Sequence, residues 1–285
     1  LTKPATSKQL IALRARMAAF SKSVTAATYI GALKDSSLAQ ALRAGSAQFK
    51  WAEAKVIHDS PEKKERGEDW QSELLIFQLW PAMKQAAEEL LIVSPYFVPG
   101  KKGAKALCDL SRKGVRVRIL TNSLSSNDVS AVHAGYARYR KKLLRAGVTL
   151  YELDEAIRKE VKKKFFWLPG LSKSSLHAKT MVIDRKTMFV GSMNLDQRSL
   201  NINNEIGILF RNPEIAGQSA DAFDRNIDKV AFRLELHKDS SGAESIRWHV
   251  KRGDDEIVYN SEPYASLWKK LGVGLIRLLP VESLL

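Results

Sequence analysis

The sequence predicts an α/β fold, a mixed β-sheet flanked by helices, with a basic helical N-terminal arm. Three observations lead there. Apolar runs of strand length alternate with helix-length segments between residues 71 and 153, an order that builds a sheet covered by helices. Beyond residue 176 the strand-like runs are joined by turns instead, which adds antiparallel strands and makes the sheet mixed. Residues 1–67 hold twelve Lys or Arg against five Asp or Glu, about half of the chain's net charge of +15.

Within the arm, Leu10, Leu13, Met17 and Phe20 recur at helical spacing, and Leu38, Leu42 and Phe49 do so more loosely, so short helices are expected. The charged run Ser60–Gly67, with Pro61 inside it, breaks the pattern. Residues 1–70 are therefore assigned to the arm or to a connector, and 71–285 to the α/β domain with its apolar tail. From Gln71 to about Glu89 a helix is expected, then a buried strand over Leu90–Ser94. A helix over Lys101–Lys113, a strand over Val115–Thr121, a helix over Val129–Ala146 and a strand over Val148–Leu153 follow. After an insertion near 155–173 come strands at 176–183, 187–190 and 203–210.

A chain of 285 residues that is 45% hydrophobic can bury a full core. Its positive field draws it toward polyanions, either nucleic acid or an anionic bilayer. The single cysteine, Cys108, rules out an internal disulfide and paired-thiol zinc sites, and points to a reducing compartment. The chain opens at Leu1 with no charged leader before an apolar stretch, so no signal peptide is expected and further sequence is expected upstream.

The chemistry concentrates between His177 and Asn194, which read H-x-K-x4-D-x6-G-S-x-N. On a strand, His177 and Lys179 share a face and Asp184 falls on the other. Asp184 is therefore expected to be structural, at the first position of a turn over Asp184–Thr187. An imidazole titrates near neutrality, so it can attack phosphorus or pass a proton to a departing alcohol. Lys179 offers a compact charge, and Ser192 and Asn194 neutral donors, to the oxygens of a five-coordinate phosphorus. No metal or other cofactor is called for. His249-Val250-Lys251 has the same spacing but runs into Gly253-Asp254-Asp255 with no G-S-x-N, and reads as a surface hairpin. His133 follows a strand end, where sites collect, and is open between such a role and capping or packing.

The motif is the HKD signature, and the chain resembles the phospholipase D superfamily. Val93–Gly100, Thr121–Leu124, Val132–Tyr136 and the closing Glu262–Leu285 are similar to the C-terminal half of bacterial cardiolipin synthases of the ClsC type. The resemblance covers most of residues 70–285 and implies a phospholipase D-like half-domain. It implies a second H-x-K half, either upstream on the same polypeptide or on a homodimer mate. It implies a phosphohistidine intermediate, with His177 as general acid, Glu205 orienting the histidine, and Asp184 and Gly191 as structural positions. The activity implied is phosphatidyl transfer between phospholipids, with phospholipid hydrolysis or a homodimeric nuclease as alternatives and an inert scaffold as a third. The implied location is peripheral, on the cytoplasmic face of the bacterial inner membrane.

Within the insertion, Lys162, Lys163 and Lys164 adjoin Phe165, Phe166 and Trp167, a pairing that suits contact with a membrane surface and equally a buried loop on a solvated stem. The apolar tail Leu271–Pro280 is too short to span a bilayer and fits a packed helix or a peripheral anchor. A nucleic-acid partner is disfavoured, because Phe20, Tyr29, Phe49 and Trp51 are spread too thinly to stack successive bases.

Overall fold

The computed structural model describes residues 6–23, 26, 31, 34–47, 49–63, 73–127, 129–156 and 176–276. The chain divides into two units, Leu1–Trp51 and Ala52–Leu285. In the first unit, α1 (Ser7–Ser21) opens on a capping box: the Thr6 hydroxyl accepts from the Gln9 amide while the Gln9 side chain accepts from the Thr6 amide. The second described helix, α2 (Ser37–Arg43), is capped by the Ser36 hydroxyl.

The second unit is built on one sheet. Its described strands are β1 (Glu53–His58), β2 (Glu89–Val93), β3 (Arg116–Asn122), β4 (Thr149–Leu153), β5 (Thr180–Ile183), β6 (Thr187–Gly191), β7 (Ile206–Arg211), β8 (Ala231–Lys238), β9 (Glu244–Arg252) and β10 (Asp255–Tyr259). They lie in the order β1-β7-β6-β5-β2-β3-β4-β8-β9-β10. The β2–β3 and β3–β4 pairs are parallel and the others antiparallel, so the sheet is mixed as expected. The parallel strands are linked by α4 (Gly100–Arg112), α5 (Ser130–Ala137) and α6 (Arg140–Arg145), preceded by α3 (Leu75–Lys84). Alternation along β2 serves both faces. Leu90 and Ile92 enter the larger core with Leu75, Leu79 and Leu107, while Leu91 enters a second core beneath α8 (Pro213–Val230). Ala216, Ala220, Phe223, Ile227 and Val230 form the apolar stripe of α8 that covers that second face.

Three expectations need correction. The boundary at 70/71 lies instead at 51/52, because β1 pairs with β7 from Glu53–Arg211 to His58–Ile206 and so belongs to the sheet. The single helix over 129–146 is two, separated at Arg138 and Tyr139, after which Arg140 turns inward to donate to Glu152 at 3.1 Å and Glu262 at 2.6 Å. Asp184 is a central residue of its turn rather than the first. Lys186 N–H donates to the Ile183 carbonyl at 3.0 Å, and Asp184 and Arg185 both have positive φ, 50° and 53°, as in primed hairpin turns. The insertion, with Lys162–Trp167, lies outside the described residues.

His133 is a packing residue. It is fully buried, its Nε2 lies 3.2 Å from Glu262, and its ring meets Tyr136 edge to face. Burial by itself would raise the Glu262 carboxyl, but Arg140 and His133 hold it down at about 2. The other H-x-K pair does lie on the β9–β10 hairpin, with the His249 ring 3.2 Å from Glu235 and 3.1 Å from Glu256. No described helix is long and apolar enough to cross a membrane.

Candidate active site

His177 and Lys179 stand at the sheet edge where β2 and β3 end. Strand pairing begins at Thr180 rather than 176, yet the alternation runs through: Leu176, Ala178 and Val182 face the α8 core, and Met181 and Ile183 the other. His177 and Lys179 thus project on the side of Met181. Leu176 is pinned where the backbone enters the strand, its amide donating to Asn122 Oδ1 at 3.2 Å. His177 is exposed, and Lys179 Nζ lies 3.4 Å from its Nδ1 and 3.5 Å from its Nε2 while donating to the His177 carbonyl at 2.9 Å. Partial burial lowers the Lys179 pKa, and the Glu205 and Asp196 carboxylates oppose that shift.

Glu205 precedes β7 and is buried. The carboxylate expected to orient the imidazole makes no hydrogen bond to His177. It accepts from the Ser192 hydroxyl and, at 2.8 Å, from the Ser199 hydroxyl. Ser192 is thereby committed: its oxygen also accepts from the Ile206 amide at 3.1 Å. Asn194 is the donor left over. Its side-chain amide hydrogen-bonds to no other described residue, and its Oδ1 is buried without a partner among them.

Residues that sequence reasoning missed hold this cluster. Asp196 caps α7 (Gln197–Asn201), its Oδ1 accepting from the Ser199 amide at 2.7 Å, and the Ser199 hydroxyl accepts from the Asn194 backbone amide at 3.2 Å. Behind Glu205 lies a buried ion pair, Lys63 to Asp59 at 2.7 Å. Asp59 accepts from the Glu205 amide at 2.9 Å and the Leu75 amide at 2.7 Å, and Lys63 donates to the carbonyls of Ser199 and Asn203 at 2.8 Å each. The i,i+4 spacing of Asp59 and Lys63 was the only local signal, and it does not disclose what the pair grips.

Gly191 sits opposite Gly207 across β6 and β7. A Cβ at Gly191 would lie 2.6 Å from the Ile206 carbonyl oxygen and 2.6 Å from the Phe189 ring. Gly191→Ala is expected to cost about 1–3 kcal/mol through overpacking, read as a lowered thermal midpoint. Asp184 is at the far end of β5, about 16 Å from Lys179 at the rise of a strand. Its carboxylate accepts from the amides of Ala87, Glu88 and Glu89 between 2.8 and 3.1 Å. Burial would raise its pKa, but those three amides bring it below the usual range. Among the described residues no group of three or more His, Cys, Asp or Glu side chains is placed to hold a metal ion.

A family profile described as cardiolipin synthase, PLD-like domain, matches residues 79–227. Cardiolipin synthase C of Escherichia coli (strain K12) is 40% identical over 257 residues, which cover 90% of this chain and 53% of that protein. A Helicobacter pylori protein is 41% identical over 196 residues, covering 68% of this chain and 33% of its own length. Among solved structures, Nuc of Salmonella typhimurium, a phospholipase D family member, gives a TM-score of 0.47 at 18% identity, covering 65% of this chain and 99% of that one. The chain thus spans about half the length of the cardiolipin synthase C that it matches.

Proposed function

We propose a phospholipid-transfer function from one premise: the chain belongs to the PLD-like domain family of cardiolipin synthase. In this reading it supplies one H-x-K half-site of a phosphatidyltransferase. The observation that carries it is the exposed His177 beside Lys179, with the side-chain amide of Asn194, unpartnered among the described residues, in the same cluster.

The neutral imidazole of one half attacks phosphorus, and the P–O bond to the head-group alcohol breaks as the other half's imidazolium gives that oxygen its proton. The second imidazole then takes the proton of an acceptor hydroxyl, such as that of phosphatidylglycerol, while the new P–O bond forms and the P–N bond breaks. His177 fills the acid and base role. Lys179 and Asn194 receive the phosphoryl oxygens, and Glu205 acts on the pocket through the two serines it holds.

One histidine cannot be nucleophile and acid in the same step, so a second H-x-K half completes the site. The half-length match to cardiolipin synthase C supports a second half on the same polypeptide. A mass measurement of the natural gene product distinguishes that source from a second copy of this chain. The same reading sets the protein peripherally on the cytoplasmic face of the bacterial inner membrane, where Lys162–Lys164 and Phe165–Trp167 meet head groups.

Incubating the intact protein with labelled phosphatidylglycerol, and separately with single-stranded DNA, tests the substrate class. Labelled cardiolipin is expected, and DNA is expected to remain whole. Phosphatidic acid alone would make the protein a hydrolase, and DNA cleavage with untouched lipid would overturn the reading.

A further inference from the structure

The C-terminal helix α9 (Leu267–Ile276) has two apolar faces, and the fold uses one of them. Val273 is buried and Ile276 packs beside it against Leu124 and Ala134. The opposite side holds Leu267, Trp268, Leu271 and Leu275, which fall within about 100° of each other at the helical repeat of 100° per residue. They are 76%, 84%, 60% and 67% exposed. Four large apolar side chains aligned on one helix, with a tryptophan the most exposed of them, form a patch that a free surface leaves at a cost.

The surroundings of the patch identify its occupant. The helix carries Lys269 and Lys270 and no acidic residue, and the sequence from Tyr264 to Leu279 adds only Arg277 to the charges. Apolar side chains with tryptophan among them, on a helix whose only charges are cationic, match the head-group zone of an anionic bilayer. The helix is also on the catalytic side of the sheet. Lys269 Nζ donates at 2.9 Å to the carbonyl of Asn127, in the loop leaving β3. Asn122, at the start of that loop, is the residue that receives the amide of Leu176, next to His177.

We infer that the outer face of α9, Leu267, Trp268, Leu271 and Leu275, is a membrane-docking surface that lies in the interface of an anionic bilayer and holds the His177 edge of the sheet near lipid head groups. The bilayer as occupant rests on the phospholipid reading above, whereas the exposed face is a property of the fold alone. Because the inner face of α9 stays packed, the helix docks without unfolding.

The test uses the intact protein and sedimentable vesicles, one set of pure phosphatidylcholine and one of equimolar phosphatidylcholine and phosphatidylglycerol. Partition is expected to favour the anionic set and to fall about tenfold or more in Leu271→Glu/Leu275→Glu. In a Trp167→Phe background, which removes the other tryptophan proposed to reach head groups, brominated acyl chains are expected to quench the remaining emission, and adding Trp268→Phe to remove most of that quenching while leaving partition nearly intact. Unchanged partition in the double variant, or quenching independent of Trp268, overturns the inference. So does a variant that loses self-association in sedimentation velocity instead of vesicle binding, which would make the face a contact between chains. Both variants are also assayed on detergent-dispersed lipid, where wild-type turnover is expected, and a parallel loss there overturns docking as the role of the face. If the wild-type protein transfers no phosphatidyl group in detergent, the phospholipid reading fails while the vesicle result still decides the docking surface.

Discussion

His177→Ala is expected to lower the proposed phosphatidyl transfer by a hundredfold to ten-thousandfold, about the range of a lost acid–base group, with no change in thermal unfolding. The ring is exposed, and among the described residues it hydrogen-bonds only with Lys179, so its removal opens no buried cavity there. Asp184→Asn should behave in the opposite way. Its carboxylate satisfies three backbone amides at the entry to β2, and an amide side chain has one oxygen where the carboxylate offers two. A loss of about 1–3 kcal/mol of stability is expected, with turnover largely kept at temperatures where the variant is folded. Transfer assays on the two proteins, paired with melting curves, separate the roles. Equal catalytic loss in two equally stable variants would remove the distinction between the chemical and the structural parts of the motif.

Asp59→Ala is expected to give the largest loss of stability. Lys63 and Asp59 are almost completely buried, each with side-chain exposure of 2%. Removing the carboxylate leaves an ammonium in the interior with only carbonyl partners, and breaking a buried pair in this way costs about 3–5 kcal/mol. It also releases the amides of Leu75 and Glu205. Lys63→Met fills similar volume without a charge but strands Asp59, so it too should be costly, and the double substitution should cost less than the sum of the single ones. Denaturant unfolding of the four proteins measures the coupling. Additive single effects would mean that the pair does not act as a unit.

The two predictions differ in how far local pattern could have supported them. The pairing of His177 with Lys179 and the exclusion of Asp184 follow from side-chain alternation, and the geometry agrees, although formal pairing starts only at Thr180. The turn at Asp184 was legible as a turn but not in its register, because positive φ at two non-glycine residues is held by distant partners, Arg185 by Glu89, Asp221 and Asp224. Glu205 was recognisable as an acid near the motif. What it binds was not, since in sequence Ser199 looks like any other serine in the first turn of a helix capped by Asp196.

Sequence by itself determined the mixed sheet flanked by helices, the face shared by the imidazole and the ammonium, and the charge that draws the chain to polyanions, all of them properties of spacing and composition within short windows. Only the tertiary structure decided that residues 53–63 belong to the sheet and its support, and that α9 packs one apolar face while baring the other. Asp59 meets Glu205 across 146 positions, and Lys63 meets Ser199 across 136. Interactions at such separation arise from closing the chain into a core, and no local periodicity encodes which partners that closure brings together.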